Sequence, residues 1–348
     1  MFSCFAQNKI DAVLVHSPVN RFYETGFCAS DGLLVLCEHG KVFYTDARYF
    51  EEAAARLKGY EVKCVSRDRL YPEVLQELKK AGAKTVGFED GFLSVAAYYE
   101  FSQAFTDFDL TPASKFFASM RMVKSPEEIA SITAAQRLTE KTLEKVKAAI
   151  RPGVTEKELK MQLVIECCRG GADGSAFPPI VAFGENTAVP HHESTDRKLE
   201  KSDPILLDFG VKLNGYCSDM TRTFCLNQPS AEYARLYEIV LSAQIYALKH
   251  IKAGMTCREA DSLAREYIRA NGYDAEFSHG LGHGVGLEIH EPPTVGERSE
   301  ELLLPGTVVT VEPGVYIPGS YGVRIEDMVI VRGDGTENLT TADKGLVV

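Results

Sequence analysis

The second half of this 348-residue chain repeats itself. "IRPGVTEKEL" at 150–159 returns as "IKAGMTCREA" at 251–260, 101 positions on. "ILLDFG" (205–210) returns as "VTVEPG" (309–314), 104 positions on, and "HHE" (191–193) returns as "IHE" (289–291), 98 positions on. Three matches at nearly one offset imply two related halves, folded face to face. Each half would hold a long helix, a shorter helix and an apolar strand that ends on an acid.

The repeat does not reach the first third of the chain. There, "DAVLVH" (11–16), "DGLLVLCEHG" (31–40) and "KVFYTDA" (41–47) read as strands, and "ARYFEEAAARLKG" and "LYPEVLQELKKAG" as amphipathic helices closed by glycine. A boundary falls at Met122-Val123-Lys124. It divides an α/β domain at 1–122 from a pseudo-twofold α+β domain at 123–348, as expected for a chain too long for one core. The second domain opens on "SPEEI", where Ser125 caps, Pro126 fits the first helical turn and Glu128 closes a capping box. That helix is expected to run to about Ile150, and Thr155 with Glu158 opens another.

The repeat sets Asp208 against Glu312, each inside an apolar run, "PILLDFG" and "TVVTVEPG". A buried acid is costly unless it is paired, protonated or bound to metal. In "DFGVKLNGYCSDMTR", Asn214-Gly215 is a two-residue hairpin turn. It pairs Leu213 with Tyr216, Asp208 with Thr221 and Gly210 with Asp219. Asp208 and Asp219 then share a sheet face as diagonal neighbours. A second hairpin carries Glu312 and Glu326, which share a face only if the loop near Pro318–Tyr321 has odd length or a bulge intervenes. Arg324 falls on the face of Glu326. Four such acids need cations, and His283 in "HGLGHGVGLEIHE" would complete the set. Oxygen-rich ligation with one imidazole favours Mn²⁺, Fe²⁺ or Co²⁺ over structural zinc. Two such ions can activate a shared water and polarise a carbonyl.

Other chemistries fail on the residues. The glycines at 280, 282, 284 and 286 do not fit GxGxxG, and neither HExxH nor GxSxG occurs. A net charge of −11 argues against a nucleic-acid partner. No run approaches the roughly 20 apolar residues of a membrane span. Nine scattered cysteines without CxxC suit a cytoplasmic protein, and "MFSCFAQNKIDAV" does not read as a signal peptide. His16, His39, His250 and His279 are expected to be structural, with lining of the site as the alternative for His279. Tyr216 and Tyr316 are expected to be core aromatics, with lining of the pocket as their alternative, and the glycines around His283 to let backbone approach the metals.

"LLDFG", "YCSDMTRTF", "GLGHGVGLEIHE", "TVEPGVY" and "YGVRIEDMV" resemble, in order, the metal-site motifs of the Xaa-Pro peptidases, the prolidases and aminopeptidases P of the pita-bread metallopeptidases. "NRFYETGF" (20–27) and "YTDARY" (44–49) are similar to motifs of that family's creatinase-like N-terminal domain, so the resemblance covers nearly the whole chain. It implies an α/β N-terminal domain and a pita-bread catalytic domain. It implies metal ligands at Asp208, Asp219, His283, Glu312 and Glu326, with Glu312 also a proton shuttle. His191 would stabilise the tetrahedral intermediate, with His192 second to it; His290 would contact the substrate carbonyl and Arg324 would orient carboxylates or substrate. The activity expected is hydrolysis of Xaa-Pro bonds in dipeptides or short peptides by a metal-bridging hydroxide. Two divalent ions per chain are expected, Mn²⁺ first, with Co²⁺, Fe²⁺ or Zn²⁺ as alternatives. The resemblance also implies a homodimer. The alternatives are an aminopeptidase P acting on longer peptides and a non-catalytic pita-bread binding protein.

Overall fold

The computed structural model describes residues 8–38 and 40–347. His39 and the first seven residues of the segment read for a signal peptide lie outside them. The chain forms two compact units, Met1–Arg121 and Met122–Val348.

The first unit is a six-stranded sheet with helices. In chain order it runs β1 (Ala12–Val15), α1 (Pro18–Thr25), β2 (Leu33–Cys37), β3 (Gly40–Thr45), α2 (Phe50–Arg56), β4 (Glu61–Cys64), α3 (Arg67–Lys80), β5 (Thr85–Phe88), α4 (Val95–Ala104), β6 (Asp109–Pro112) and α5 (Ser114–Met122). The strand order is β4-β3-β2-β1-β5-β6. Both faces are covered. Val13, Leu34, Leu36 and Phe43 pack into one core and Leu14, Leu33, Val35 and Tyr44 into the other. Strands buried on both sides read as unbroken apolar runs, which is how "AVLV" and "LLVLC" read.

The second unit is built twice. Its first half holds α6 (Pro126–Lys147), α7 (Glu156–Arg169), β7 (Gly174–Ser175), β8 (Ile180–Phe183), β9 (Pro204–Asp208), β10 (Val211–Leu213), β11 (Tyr216–Cys217) and β12 (Thr221–Cys225). Its second half holds α8 (Ala231–His250), α9 (Cys257–Ala270), β13 (Gly282–Gly284), β14 (Glu291–Val295), β15 (Val308–Val311), β16 (Gly314–Ile317), β17 (Tyr321–Arg324), β18 (Asp327–Val331) and β19 (Thr336–Asn338). Antiparallel β8–β9–β12 corresponds to antiparallel β13–β15–β18, which β14 and β19 widen. Leu143, Leu159 and Leu163 of the first helix pair pack on Val181, Ile205 and Leu207. Val240, Ala264 and Ile268 of the second pair pack on Val309, Val311 and Val329.

The repeat extends to single hydrogen bonds. Gly153 N–H donates to Leu199 C=O and Gly254 N–H to Leu303 C=O, both at 2.8 Å. Capping boxes Thr155/Glu158 and Thr256/Glu259 open α7 and α9 at matching positions. The Ser125/Glu128 box opens α6 as expected. That helix ends at Lys147 rather than near Ile150. Ala149 and Ile150 donate to Val146 and Lys147, so its last turn tightens to three-residue closure.

Both hairpins have the expected register. Leu213 pairs with Tyr216 and Asp208 with Thr221. Between them the regular ladder breaks, because the Ser218 hydroxyl, held by Thr139 on α6 at 2.7 Å, takes the Val211 N–H. Phe209 N–H to Met220 C=O and Ser218 N–H to Val211 C=O still bracket Asp219 opposite Gly210. In the second hairpin a loop of Pro318, Gly319 and Ser320 joins β16 to β17, the odd length required. One register runs from Val308↔Ile330 to Ile317↔Tyr321, so Glu312 stands opposite Glu326.

Gly210 marks the tightest approach, since a β-carbon there would lie 1.8 Å from the Ser218 carbonyl oxygen. Backbone must move to admit one. Gly210→Ala is therefore expected to destabilise by about 1–3 kcal/mol, the usual cost of overpacking. Gly333→Ala, where nothing lies within 4 Å, is the control and should be neutral. Urea midpoints of the two variants check this.

Candidate metal centre

The two hairpins present their acids, and β13 its histidine, to one cavity of about 830 Å³. Asp208, Asp219, His283, Glu312, Glu326, His191, His290 and Arg324 all line it. Asp208, Asp219 and Glu326 are buried, and Glu312 and His283 half-buried. Single ligating atoms of Asp219, His283 and Glu326 lie within 4.8 Å of one another. His283 Nε2 is 3.6 Å from Asp219 Oδ2 and 3.3 Å from Glu312 Oε1.

Threonines and Arg324 hold the carboxylates in place. Thr221 donates its hydroxyl to Glu326 Oε2 at 2.7 Å, and Thr310 donates to Glu312 Oε1 at 3.0 Å. Arg324 Nη2 reaches Asp208 Oδ2 at 2.5 Å, its Nε donates to Thr221 Oγ1, and Nη1 donates to the Tyr316 hydroxyl at 2.7 Å. The Glu326 partner is thus Thr221, and Arg324 crosses to the other hairpin instead of pairing with the glutamate two residues on.

The centre is electrostatically unfavourable by itself. Burial, then the charges of Glu326, Asp208 and Glu312, pushes Asp219 well above the carboxylate range. Burial, then Glu312 and Asp208, does the same to Glu326. Burial also raises Asp208, against the pull of Arg324. Burial would raise Glu312 too, but His283, His279 and Arg324 outweigh it and hold that carboxyl at about 2.

These residues fit a divalent cation. Asp208 Oδ1 and Glu326 Oε1 are buried with no hydrogen-bond partner among the described residues. His283 Nδ1 lies 3.1 Å from Gly284 C=O, which can only accept, so Nδ1 carries the proton. Nε2 then turns towards the Asp219 and Glu312 carboxylates, an arrangement that needs a proton or a cation between them.

Three expectations need correction. The glycines around His283 do not clear space for metal. A β-carbon on Gly282 would lie 2.1 Å from Thr310 C=O, and one on Gly284 2.5 Å from Glu291 C=O, so they admit neighbouring backbone. Tyr316 is not simply a core aromatic, because its hydroxyl sits in the site between Arg324 and His279. His279 is not merely structural: it lines the cavity, with Nδ1 on Gly280 C=O at 2.8 Å and Nε2 on Tyr316 at 3.0 Å. Strand parity could have found Tyr316, which lies four residues beyond Glu312 on the same face. His192 also lines the cavity, but its Nε2 is held 2.8 Å from Glu156 on α7. No sequence signal marked Glu156, whose buried carboxylate also holds Phe183, Asn186 and Thr195.

Comparison with known proteins agrees with this geometry. Residues 130–333 match metallopeptidase family M24, and residues 4–123 match the creatinase/prolidase N-terminal domain. The Xaa-Pro dipeptidase of Pyrococcus furiosus is 35% identical, with 98% of this chain and 96% of that protein covered. A solved structure described as an Xaa-Pro dipeptidase from Bacillus anthracis superposes with a TM-score of 0.95 at 39% identity, covering 99% of this chain and 97% of that one. An X-Pro aminopeptidase structure from Thermotoga maritima gives 0.93 at 35% identity, with 99% of each chain covered. The chain belongs to metallopeptidase family M24. It is a hydrolase that uses divalent metal, with a creatinase N-terminal domain and a pita-bread catalytic domain.

The raised acids predict how the metal-free protein responds to pH. The folded state keeps protons on Asp219 and Glu326 that the unfolded state releases, so stability falls as pH rises through the window above the ordinary carboxylate range. The Tm of stripped protein should therefore fall between about pH 5 and about pH 8, against a flatter profile with Mn²⁺. At the upper pH, one ion at a hundred times its Kd adds about 2.7 kcal/mol. A flat metal-free profile with no Mn²⁺ shift in differential scanning calorimetry would contradict the burial argument.

Proposed function

We propose that this protein hydrolyses the bond between an N-terminal residue and a following proline, with free Xaa-Pro dipeptides and short peptides as substrates. The observation that carries the reading is the convergence of Asp208, Asp219, His283, Glu312 and Glu326 on one cavity, with buried oxygens of Asp208 and Glu326 that have no hydrogen-bond partner among the described residues. These five residues would hold two divalent cations, Mn²⁺ being the ion that suits four carboxylates and one imidazole. When bound, such ions supply Lewis-acid polarisation of the scissile carbonyl and lower the pKa of the attacking water.

The chain's own residues supply the rest. Glu312, fixed by Thr310 and His283, takes a proton from the attacking water and returns it to the proline nitrogen as the bond breaks. His191 and His290, both at the exposed wall of the cavity, donate to the carbonyl oxygen as negative charge develops on it. Arg324 fixes Asp208 and, through Thr221, Glu326. Relatives described as Xaa-Pro dipeptidases support the dipeptide reading. The second reading, cleavage of longer peptides, is favoured by the relative described as an X-Pro aminopeptidase. The non-catalytic reading is disfavoured because all five ligand positions are filled. Scattered cysteines with no disulfide among the described residues favour a cytoplasmic site of action, and the family resemblance favours a homodimer. No helix of the described residues is long and apolar enough to cross a membrane.

Thorough chelation should abolish Ala-Pro cleavage and added Mn²⁺ should restore it. Activity that survives chelation would overturn the proposal. Ala-Pro against Ala-Pro-Xaa separates the two peptide readings. His191→Ala is expected to lower kcat about 10²–10³-fold, as for loss of one oxyanion donor, with bound metal unchanged by elemental analysis.

A further inference from the structure

The cavity wall formed by α7 and the 190–194 segment carries a residue that the centre does not use. Lys160 lines the cavity and is half-buried. It lies one helical turn beyond Glu156 on the same face of α7. Glu156 would be its natural partner, but that carboxylate is already taken. Oε1 accepts from Phe183 N–H at 2.8 Å and Asn186 at 2.9 Å. Oε2 accepts from Thr195 N–H at 2.8 Å and its hydroxyl at 2.7 Å, and faces His192 Nε2 at 2.8 Å. Glu193 lines the same wall and makes no ion pair with Lys160 among the described residues. Arg324, a second cation of the lining, is committed to Asp208, Thr221 and Tyr316. Lys160 is therefore a cation of the lining with no hydrogen bond or ion pair among the described residues.

We propose that Lys160 binds the C-terminal carboxylate of the substrate and so makes free dipeptides the preferred substrates. The inference rests on the Xaa-Pro reading. In a free Xaa-Pro dipeptide the carboxylate is carried by the leaving proline, two bonds from the nitrogen of the scissile bond. The other cations of the site are already matched: the divalent ions would be balanced by Asp208, Asp219, Glu312 and Glu326, and Arg324 is committed to Asp208. Lys160, on the same lining as His191, is the cation left to meet the extra negative charge. An ammonium on a flexible stem suits the task, since it is a compact charge that adjusts to one small anion. A longer peptide or an amide brings a neutral group to the same place and gains nothing from the lysine. Discrimination by one hydrogen bond between charged groups corresponds to roughly 10- to 100-fold in kcat/KM.

The test compares Ala-Pro with Ala-Pro-amide on Mn²⁺-loaded wild type, Lys160→Met and Lys160→Arg, with metal content and Tm measured on each sample. Wild type should prefer the free acid by about tenfold or more. Lys160→Met should lose most of that preference, chiefly by a higher KM for Ala-Pro, and Lys160→Arg should keep much of it. A wild type that treats acid and amide alike, or a Lys160→Met that keeps the wild-type ratio, overturns the anchor and leaves the Xaa-Pro reading standing. A wild type that cleaves neither compound overturns that reading and the anchor with it.

Discussion

Three carboxylates, Asp208, Asp219 and Glu326, are held where water is scarce, with Glu312 beside them. Like charges so placed repel one another and lose their hydration, and both effects drive protons onto them. Arg324 offsets one negative charge, and the rest calls for cations. Much of the second unit can be read as the scaffold that makes this arrangement permanent. Asp208 ends β9, and Asp219, Glu312 and Glu326 stand at the breaks between β11 and β12, β15 and β16, and β17 and β18. Their free oxygens are aimed by Thr221 and Thr310, and those threonines are buried in the same sheets.

Duplication explains how one chain brings the acids together. Each half contributes a strand ending on an acid, and the two sheets are related position by position. The halves then diverged in what surrounds the acid. In the first, the register set by the Asn214-Gly215 turn puts Asp219 opposite Gly210 and so diagonal to Asp208. In the second, a continuous register brings Glu326 opposite Glu312. Arg324 ties the halves together, from the second hairpin to Asp208 of the first.

The features legible in the sequence were those governed by local rules. Asn214-Gly215 determines a register, and a register determines which acids share a face. Capping boxes mark where α6, α7 and α9 begin. What stayed hidden depends on contacts between distant segments. The partner of Arg324 is 116 positions away, and Glu156 reaches His192 across 36. The glycines around His283 carry no sign of whether metal or a neighbouring strand fills the space beside them. His279 looked unremarkable because its role runs through the Tyr316 hydroxyl, and that hydroxyl is placed only once β16 folds against the β13 segment.

Metal occupancy tests the central claim most directly. Protein loaded with Mn²⁺, freed of excess ion and measured by inductively coupled plasma mass spectrometry should retain two ions per chain. Anomalous scattering from the same sample should place both among Asp208, Asp219, His283, Glu312 and Glu326. A chain that retains no metal, or holds it away from these residues, would contradict the account.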